Sequence, residues 1–200
     1  FLEEDTRFPE RQELESSYKL SPEYKKLFDA SLAYARRSVG EAEQGSRDHR
    51  VRWWSALALL RALGSSPAAA AATLRNRAAT LSGETAEAAD ELGRRFVLDQ
   101  ESAEDSEVMD IVAGSDYTED EGDSAQEKQK RKLLDLARQA EKLTPKADNK
   151  LQGALELTGR LLSEGFNPIL FCRYIATAEY LGTALKGKLK EVQVSVVTGQ

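Results

Sequence analysis

The residues best suited to chemistry are three arginines next to a pair of tryptophans. Arg47, Arg50 and Arg52 stand within six positions, directly before Trp53 and Trp54. Guanidinium groups bind phosphates and indole rings stack on bases, so the cluster is a candidate nucleic-acid contact in which Arg50 and Arg52 bind phosphate. A second interpretation stays open: Trp54 belongs to the apolar core, and the arginines are solvated or paired with acidic residues of the preceding helix.

Other reactive side chains are few. The single Cys172 and single His49 exclude an internal disulfide and a Cys/His metal cluster, which favours a reducing compartment and leads us to expect a cytoplasmic protein. We expect Cys172 to be a small hydrophobic residue at a strand end and His49 a polar turn residue. No phosphate-binding loop of the form G-x-x-x-x-G-K-[ST] occurs, and no Asp-Glu pair follows a strand. We therefore expect no catalytic residue, metal or cofactor in this stretch alone.

The charge of the chain is unevenly distributed. The net charge is −6 over 200 residues, yet residues 99–123 contain 11 of the 34 acidic residues and no basic one. The remaining 23 acidic residues face 28 basic ones, so the rest of the chain is basic and the net charge does not exclude DNA. We expect residues 99–123 to be a solvated loop; the alternative is a segment that competes with DNA for a basic face. No apolar run approaches the roughly 20 residues that span a membrane.

Helical signals dominate residues 21–146. A capping serine followed by proline starts one helix at Ser21–Pro22 and another at Ser66–Pro67, and a helix between them closes at Gly64. Two further helices are predicted, one over 86–96 and one over 126–143 that ends before Pro145. The apolar faces predicted for the helix from Pro22, the helix that closes at Gly64 and the 126–143 helix are, in that order, Tyr24, Leu27, Phe28, Leu32, Ala35 and Val39; Val51, Trp54, Leu57, Ala58 and Leu60; and Leu133, Leu136, Ala137, Ala140 and Leu143.

The pattern changes after Asp148. A helix with Leu151 and Leu155 stops at Gly165, and a short buried-type strand follows at 169–172. A helix over 177–185 and a second strand over 192–197 come next. The order helix, strand, helix, strand predicts the start of a parallel sheet, so the expected fold is mainly α, a helical bundle followed by a partial α/β segment with a short parallel sheet.

Three short sequences stand out in the C-terminal segment and precede Gly199: 148–151 (DNKL), 167–174 (NPILFCRY) and 177–181 (TAEYL). Together they resemble the opening of the second RecA-like lobe of superfamily 2 helicases of the Swi/Snf type. Upstream, 20–28 is similar to the entry to the inter-lobe helices of these motors. Residues 57–77 are similar to RapA-like and DISARM DrmD-like members, which implies phage defence.

This resemblance implies a division into the end of the first lobe or a linker at 1–20, a helical inter-lobe domain at 21–146, and the start of the second lobe at 147–200. Both ends are then expected to continue, because the chain begins at Phe1 without a methionine and stops just after a strand-like run.

The resemblance also implies partners and site residues. DNA crosses both lobes, ATP and Mg bind only in the complete enzyme, and companion subunits of a defence complex are possible partners, with no membrane involved. Arg173, Tyr174 and Thr177 match the positions that grip a DNA phosphate, although Tyr174 fits equally well as a packing residue. A separate expectation, from the apolar helix faces alone, is a free-standing helical module that binds another protein.

Overall fold

The computed structural model describes residues 11, 13–42, 44, 47–80 and 123–198, and these are mainly helical. Six α-helices lie in this part of the chain. The helix predicted over 86–96 and nearly all of the acidic run 99–123 fall outside it, as does Gly199. The helices are α1 (Pro22–Gly40), α2 (Arg47–Ser65), α3 (Pro67–Thr80), α4 (Asp123–Glu141), α5 (Asn149–Ser163) and α6 (Ile175–Lys188), with a 3-10 turn at Pro145–Ala147.

Local capping explains where several helices begin and end. Ser21 Oγ accepts the backbone N–H of Tyr24 at 3.2 Å, and Ser66 Oγ accepts that of Ala69 at 3.0 Å, as the serine-proline pairs predicted. Asp148 caps α5 in the same way by accepting the N–H of Leu151 at 3.1 Å. Gly165 ends α5 with a φ of 89°, a conformation that favours glycine. The sequence signals therefore set these boundaries.

Helices α1 to α4 form a bundle around one apolar core. The alanine-rich α3 packs along α4 and against α2, while α1 packs on α2 and α4. Small side chains on α3 let the helix axes approach closely, and leucines from the neighbours fill the remaining space. The buried core side chains are Tyr24, Leu27, Leu59, Leu63, Ala70, Ala71, Leu74, Ala78, Leu133, Leu136, Ala137 and Ala140.

The buried face of α2 differs from the predicted one. Trp54 was expected in the core, but 54% of it is exposed, and the neighbouring Trp53 is 52% exposed. Side chains smaller than tryptophan are buried instead, because closely packed helices leave little room for an indole ring. The buried residues of α2 are Arg52, Ser55, Ala56, Ala58, Leu59, Ala62 and Leu63.

A second, smaller core joins α5 to α6. Leu151, Leu155 and Leu185 are buried together, and Val194 packs against them from the segment after α6. Val196 of that segment lies against Gly182, which is buried because the valine covers it.

The two predicted strands do not pair. Residues 169–172 and 192–197 were predicted as strands, but they form neither helix nor strand, so the short parallel sheet expected there is absent from the described parts of the chain. Two parallel strands alone exchange too few hydrogen bonds and bury too little surface to hold together. Ile169 and Phe171 consequently face solvent, at 79% and 94% exposure.

Candidate nucleic-acid interface

The start of α6 provides backbone donors for an anion. Tyr174 is the residue before the helix and has extended backbone angles, and its side chain makes no capping hydrogen bond to the helix. The N–H groups of Ile175 and Ala176 make no backbone hydrogen bond within the described residues, as expected for a first helical turn. Together with the helix dipole, these donors favour a negative group at this end of α6.

The three side chains predicted at this position have different environments. Arg173 is exposed at the bend before α6, and Tyr174 is half-buried. The hydroxyl of Thr177 lies 2.8 Å from both Ser65 Oγ and Ser66 Oγ, so it joins α6 to the turn between α2 and α3. Arg173 is therefore a long, exposed cationic side chain directly before these amides in sequence, while Thr177 holds the helix start in place.

The arginine and tryptophan cluster is divided by the fold. Arg52 is buried and donates from Nη1 to the carbonyl of Ser38 at 3.0 Å, with Glu41 Oε2 at 3.8 Å, so it joins the end of α1 to α2. The paired interpretation thus describes Arg52 better than phosphate binding does. Arg50 lies in α2, and its side chain is outside the described part of the structure. Trp53 and Trp54 remain on the surface.

A tyrosine and aspartate cluster lies at the junction of the two cores, and the sequence analysis did not single it out. Asp148 is 2% exposed, next to Tyr18, Tyr24 and Tyr180. Burial, and then the negative charge of Asp148, raises the pKa of each of these tyrosines above its ordinary value. The tyrosines are therefore neutral, and Tyr18 and Tyr24 donate hydrogen bonds to backbone carbonyls near the end of α2.

The carbonyl oxygens at the end of α2 are the acceptors of this junction. Tyr24 Oη donates to Leu63 at 2.6 Å, and Lys150 Nζ donates to Gly64 at 2.8 Å and Ser65 at 3.3 Å. Lys150 also lies 5.8 Å from the centre of the Tyr18 ring. A lysine at a helix C-terminus interacts favourably with the dipole, so these contacts attach α5 to the bundle. The change of pattern after Asp148 predicted the start of a helix but not these distant partners.

The described residues offer little for other chemistry. Within them, no group of three His, Cys, Asp or Glu side chains is arranged to hold a metal, and no helix is long and apolar enough to cross a membrane. Burial raises the pKa of the half-buried Cys172 thiol, which disfavours the thiolate. His49 was predicted to be a polar residue in a turn between helices, but it lies in the first turn of α2.

Comparison of the chain with known protein families, curated proteins and solved structures gave no match.

Proposed function

We propose that this chain is the helical inter-lobe region and the start of the second RecA-like lobe of an ATP-dependent DNA helicase or translocase of the Swi/Snf type. In this proposal, ATP and Mg bind in the complete enzyme between this lobe and another that carries the phosphate-binding loop. Companion subunits of a phage-defence complex are further partners.

The observation that carries the proposal is the arrangement of two non-helical segments before and after α6. The segment 193–197 lies over α6, with Val194 in the small core and Val196 against Gly182. The segment 169–172 precedes α6 and exposes Ile169 and Phe171. The sequence predicts a strand in each segment, and strand, helix and strand in this order are the repeating unit of a parallel sheet, whose inner strands are apolar on both faces. We propose that further strands of the complete lobe cover the exposed apolar side chains.

The second support is the chemistry at the start of α6. Arg173 is exposed next to backbone N–H groups that make no backbone hydrogen bond in the described structure. A guanidinium beside a helix N-terminus binds a phosphate well, and Thr177 keeps this end of the helix fixed to the bundle through Ser65 and Ser66. We therefore assign the DNA-phosphate contact chiefly to Arg173, with Tyr174 and Thr177 orienting the helix start.

Binding of duplex DNA tests the assignment. Arg173→Ala should weaken binding severalfold at low salt and lower the slope of log affinity against log salt by about 1. Arg131→Ala is the matched control, since Arg131 is also exposed and pairs with Glu127 at 3.0 Å within its own helix. Equal affinities and salt slopes for the two variants would contradict the Arg173 assignment.

The sheet is tested separately by amide hydrogen exchange. In a longer chain that contains both motor lobes, the amides of 169–172 and 193–197 should become strongly protected compared with the 200-residue chain. In the same longer chain, Arg173→Ala should reduce DNA-stimulated ATP hydrolysis. Rapid exchange in both chains would contradict the lobe assignment even if Arg173 binds DNA.

The exposed apolar surface also favours a second candidate, a helical module that binds another protein. Phe166 is 58% exposed in the loop that leads to Ile169 and Phe171. Such a patch in a free-standing protein marks a protein interface. Under this candidate, the same exchange experiment would show protection only when a partner protein is added and none in the longer chain.

A further inference from the structure

The outer face of α2 carries an aromatic surface that the core does not use. Trp53 and Trp54 are each about half exposed, and Leu57 is half-buried one turn further along. Arg61 is exposed seven positions after Trp54, on the same side of the helix. The chain contains only two tryptophans, and both lie in this surface. Large side chains left in solvent beside cations indicate a binding surface more than a packing requirement.

The arginines near the N-terminus of α2 lie at the positive end of the helix dipole. The helix carries four arginines and one aspartate, and three of the arginines lie within its first six residues, at 47, 50 and 52. Cations near a helix N-terminus are unfavourable because that end carries partial positive charge. Arg52 contacts Ser38 and Glu41, and positions 47 and 50 precede Trp54 by two turns and one turn. Departures from a local rule of this kind occur at functional sites.

We propose that this face of α2 binds single-stranded nucleic acid, with unpaired bases stacked on Trp53 and Trp54 and phosphates attracted by the arginines of the helix. Indole rings stack on any base, and flanking guanidinium groups follow the phosphate backbone. A base inside a duplex is already stacked on both faces, so an indole on the surface of a helix selects unpaired nucleotides. The positive charge of α2, in a chain with net charge −6, makes the attraction local.

This surface is separate from the proposed duplex contact. Trp53 precedes Ser65 by twelve residues, about 18 Å along the helix, and Ser65 is the residue that meets Thr177. The inference does not rest on the proposed function, because it uses different side chains and a different form of nucleic acid.

Intrinsic fluorescence tests the proposal directly, because all tryptophan emission comes from this surface. Titration of the chain with an oligothymidine should quench the emission at low salt, and the quenching should weaken as salt is added. Trp53→Ala and Trp54→Ala should each reduce affinity at least fivefold, measured by anisotropy of a labelled oligonucleotide, while Trp53→Phe and Trp54→Phe retain most of it. Arg50→Ala and Arg61→Ala should each lower the salt slope by about 0.7. Unchanged helicity by circular dichroism establishes that the variants fold.

Four results would overturn the proposal. The first is saturating oligothymidine that leaves the emission unchanged. The second is binding that survives the double replacement of Trp53 and Trp54 by alanine. The third is a blunt duplex that quenches as strongly as the single strand. The fourth is emission that shifts with protein concentration alone, which would assign the surface to a second copy of the chain. Arg173→Ala should leave oligothymidine quenching unchanged, so the two nucleic-acid assignments fail or succeed independently.

Discussion

Two regions of the molecule differ in how completely they bury apolar side chains. One is the bundle of α1 to α4, and the other is the unit of α5, α6 and their flanking segments. In the bundle, Leu59, Leu74 and Leu136 are completely buried. In the second unit, the three core leucines retain 4–5% exposure, and Phe171 and Val197 are at least 90% exposed. The bundle encloses its leucine and alanine core and leaves Trp53 and Trp54 of α2 exposed, whereas the second unit exposes apolar side chains on both sides of α6.

The difference follows from what each region can pack against. Four helices with small residues at their contacts surround a common core, and Trp53 and Trp54 of α2 remain exposed outside it. Two helices bury only a thin layer between them, and the segments before and after α6 add few buried side chains. Apart from Trp53 and Trp54, the strongly exposed apolar residues of α5, α6 and their flanking segments lie mostly where the described chain forms neither helix nor strand.

Truncation of one buried leucine in each region gives the largest expected effect. Leu136→Ala should lower the free energy of unfolding by about 2–5 kcal/mol, because it leaves a cavity among fully enclosed side chains. Leu155→Ala should cost less, about 1–3 kcal/mol, since its thin surroundings collapse or admit water more readily. Urea unfolding followed by circular dichroism measures both values.

The partly exposed Leu157 is the control for that pair, and Leu157→Ala should change stability little. A loss for Leu155→Ala that equals or exceeds the loss for Leu136→Ala would mean that the second unit is enclosed as fully as the bundle.

The tyrosines at the junction supply a prediction for alkaline pH. Tyr24 is buried and donates 2.6 Å to Leu63, so Tyr24→Phe should cost about 1–2 kcal/mol at neutral pH. Its pKa in the folded chain is raised above the ordinary value near 10, so the unfolded chain loses this proton first as pH rises. Stability from the neutral hydroxyl is thus complete below about pH 10 and declines above it.

Urea unfolding at neutral pH and on either side of pH 10 tests this dependence. The decline above pH 10 should be smaller in Tyr24→Phe than in the original chain, because the variant has one fewer buried phenol to ionise. Part of the decline in stability should remain in Tyr24→Phe, because the pKa values of Tyr18 and Tyr180 are also raised. Parallel declines in the two proteins would show that Tyr24 does not link stability to pH.

The bundle was largely predictable from sequence because its signals are local. Ser21 and Ser66 act within one helical turn, and the apolar face of α4 lies in the core with the predicted spacing. The prediction that Trp54 lies in the core was wrong because periodicity identifies two neighbouring faces of a helix nearly equally well. The choice between them depends on how closely other helices approach, which is a tertiary property.

The candidate site was less predictable than the fold. Arg173 could be singled out by its position before a helix, but the contact of Thr177 with Ser65 and Ser66 joins residues more than 110 positions apart. The same holds for Lys150 and the carbonyls at the end of α2. The sequence left open whether Arg52 binds phosphate or pairs with acidic residues of the preceding helix. Its burial against Ser38 follows only from the packing of α1 on α2.

A substitution at the contact between the two regions should change the free energy of unfolding least, and it tests whether the regions unfold independently. Thr177→Val keeps the shape of the side chain but removes the hydroxyl between Ser65 and Ser66, so it should cost about 1 kcal/mol. Since the two cores share no buried apolar residue, the loss should stay local and release α6 without loosening the bundle. Amide exchange should therefore accelerate at 175–181 and stay unchanged in α3 and α4. Thr183→Val, on an exposed position of α6, is the matched control and should behave like the original chain. Faster exchange throughout the bundle in Thr177→Val would instead show that the two regions unfold as one unit.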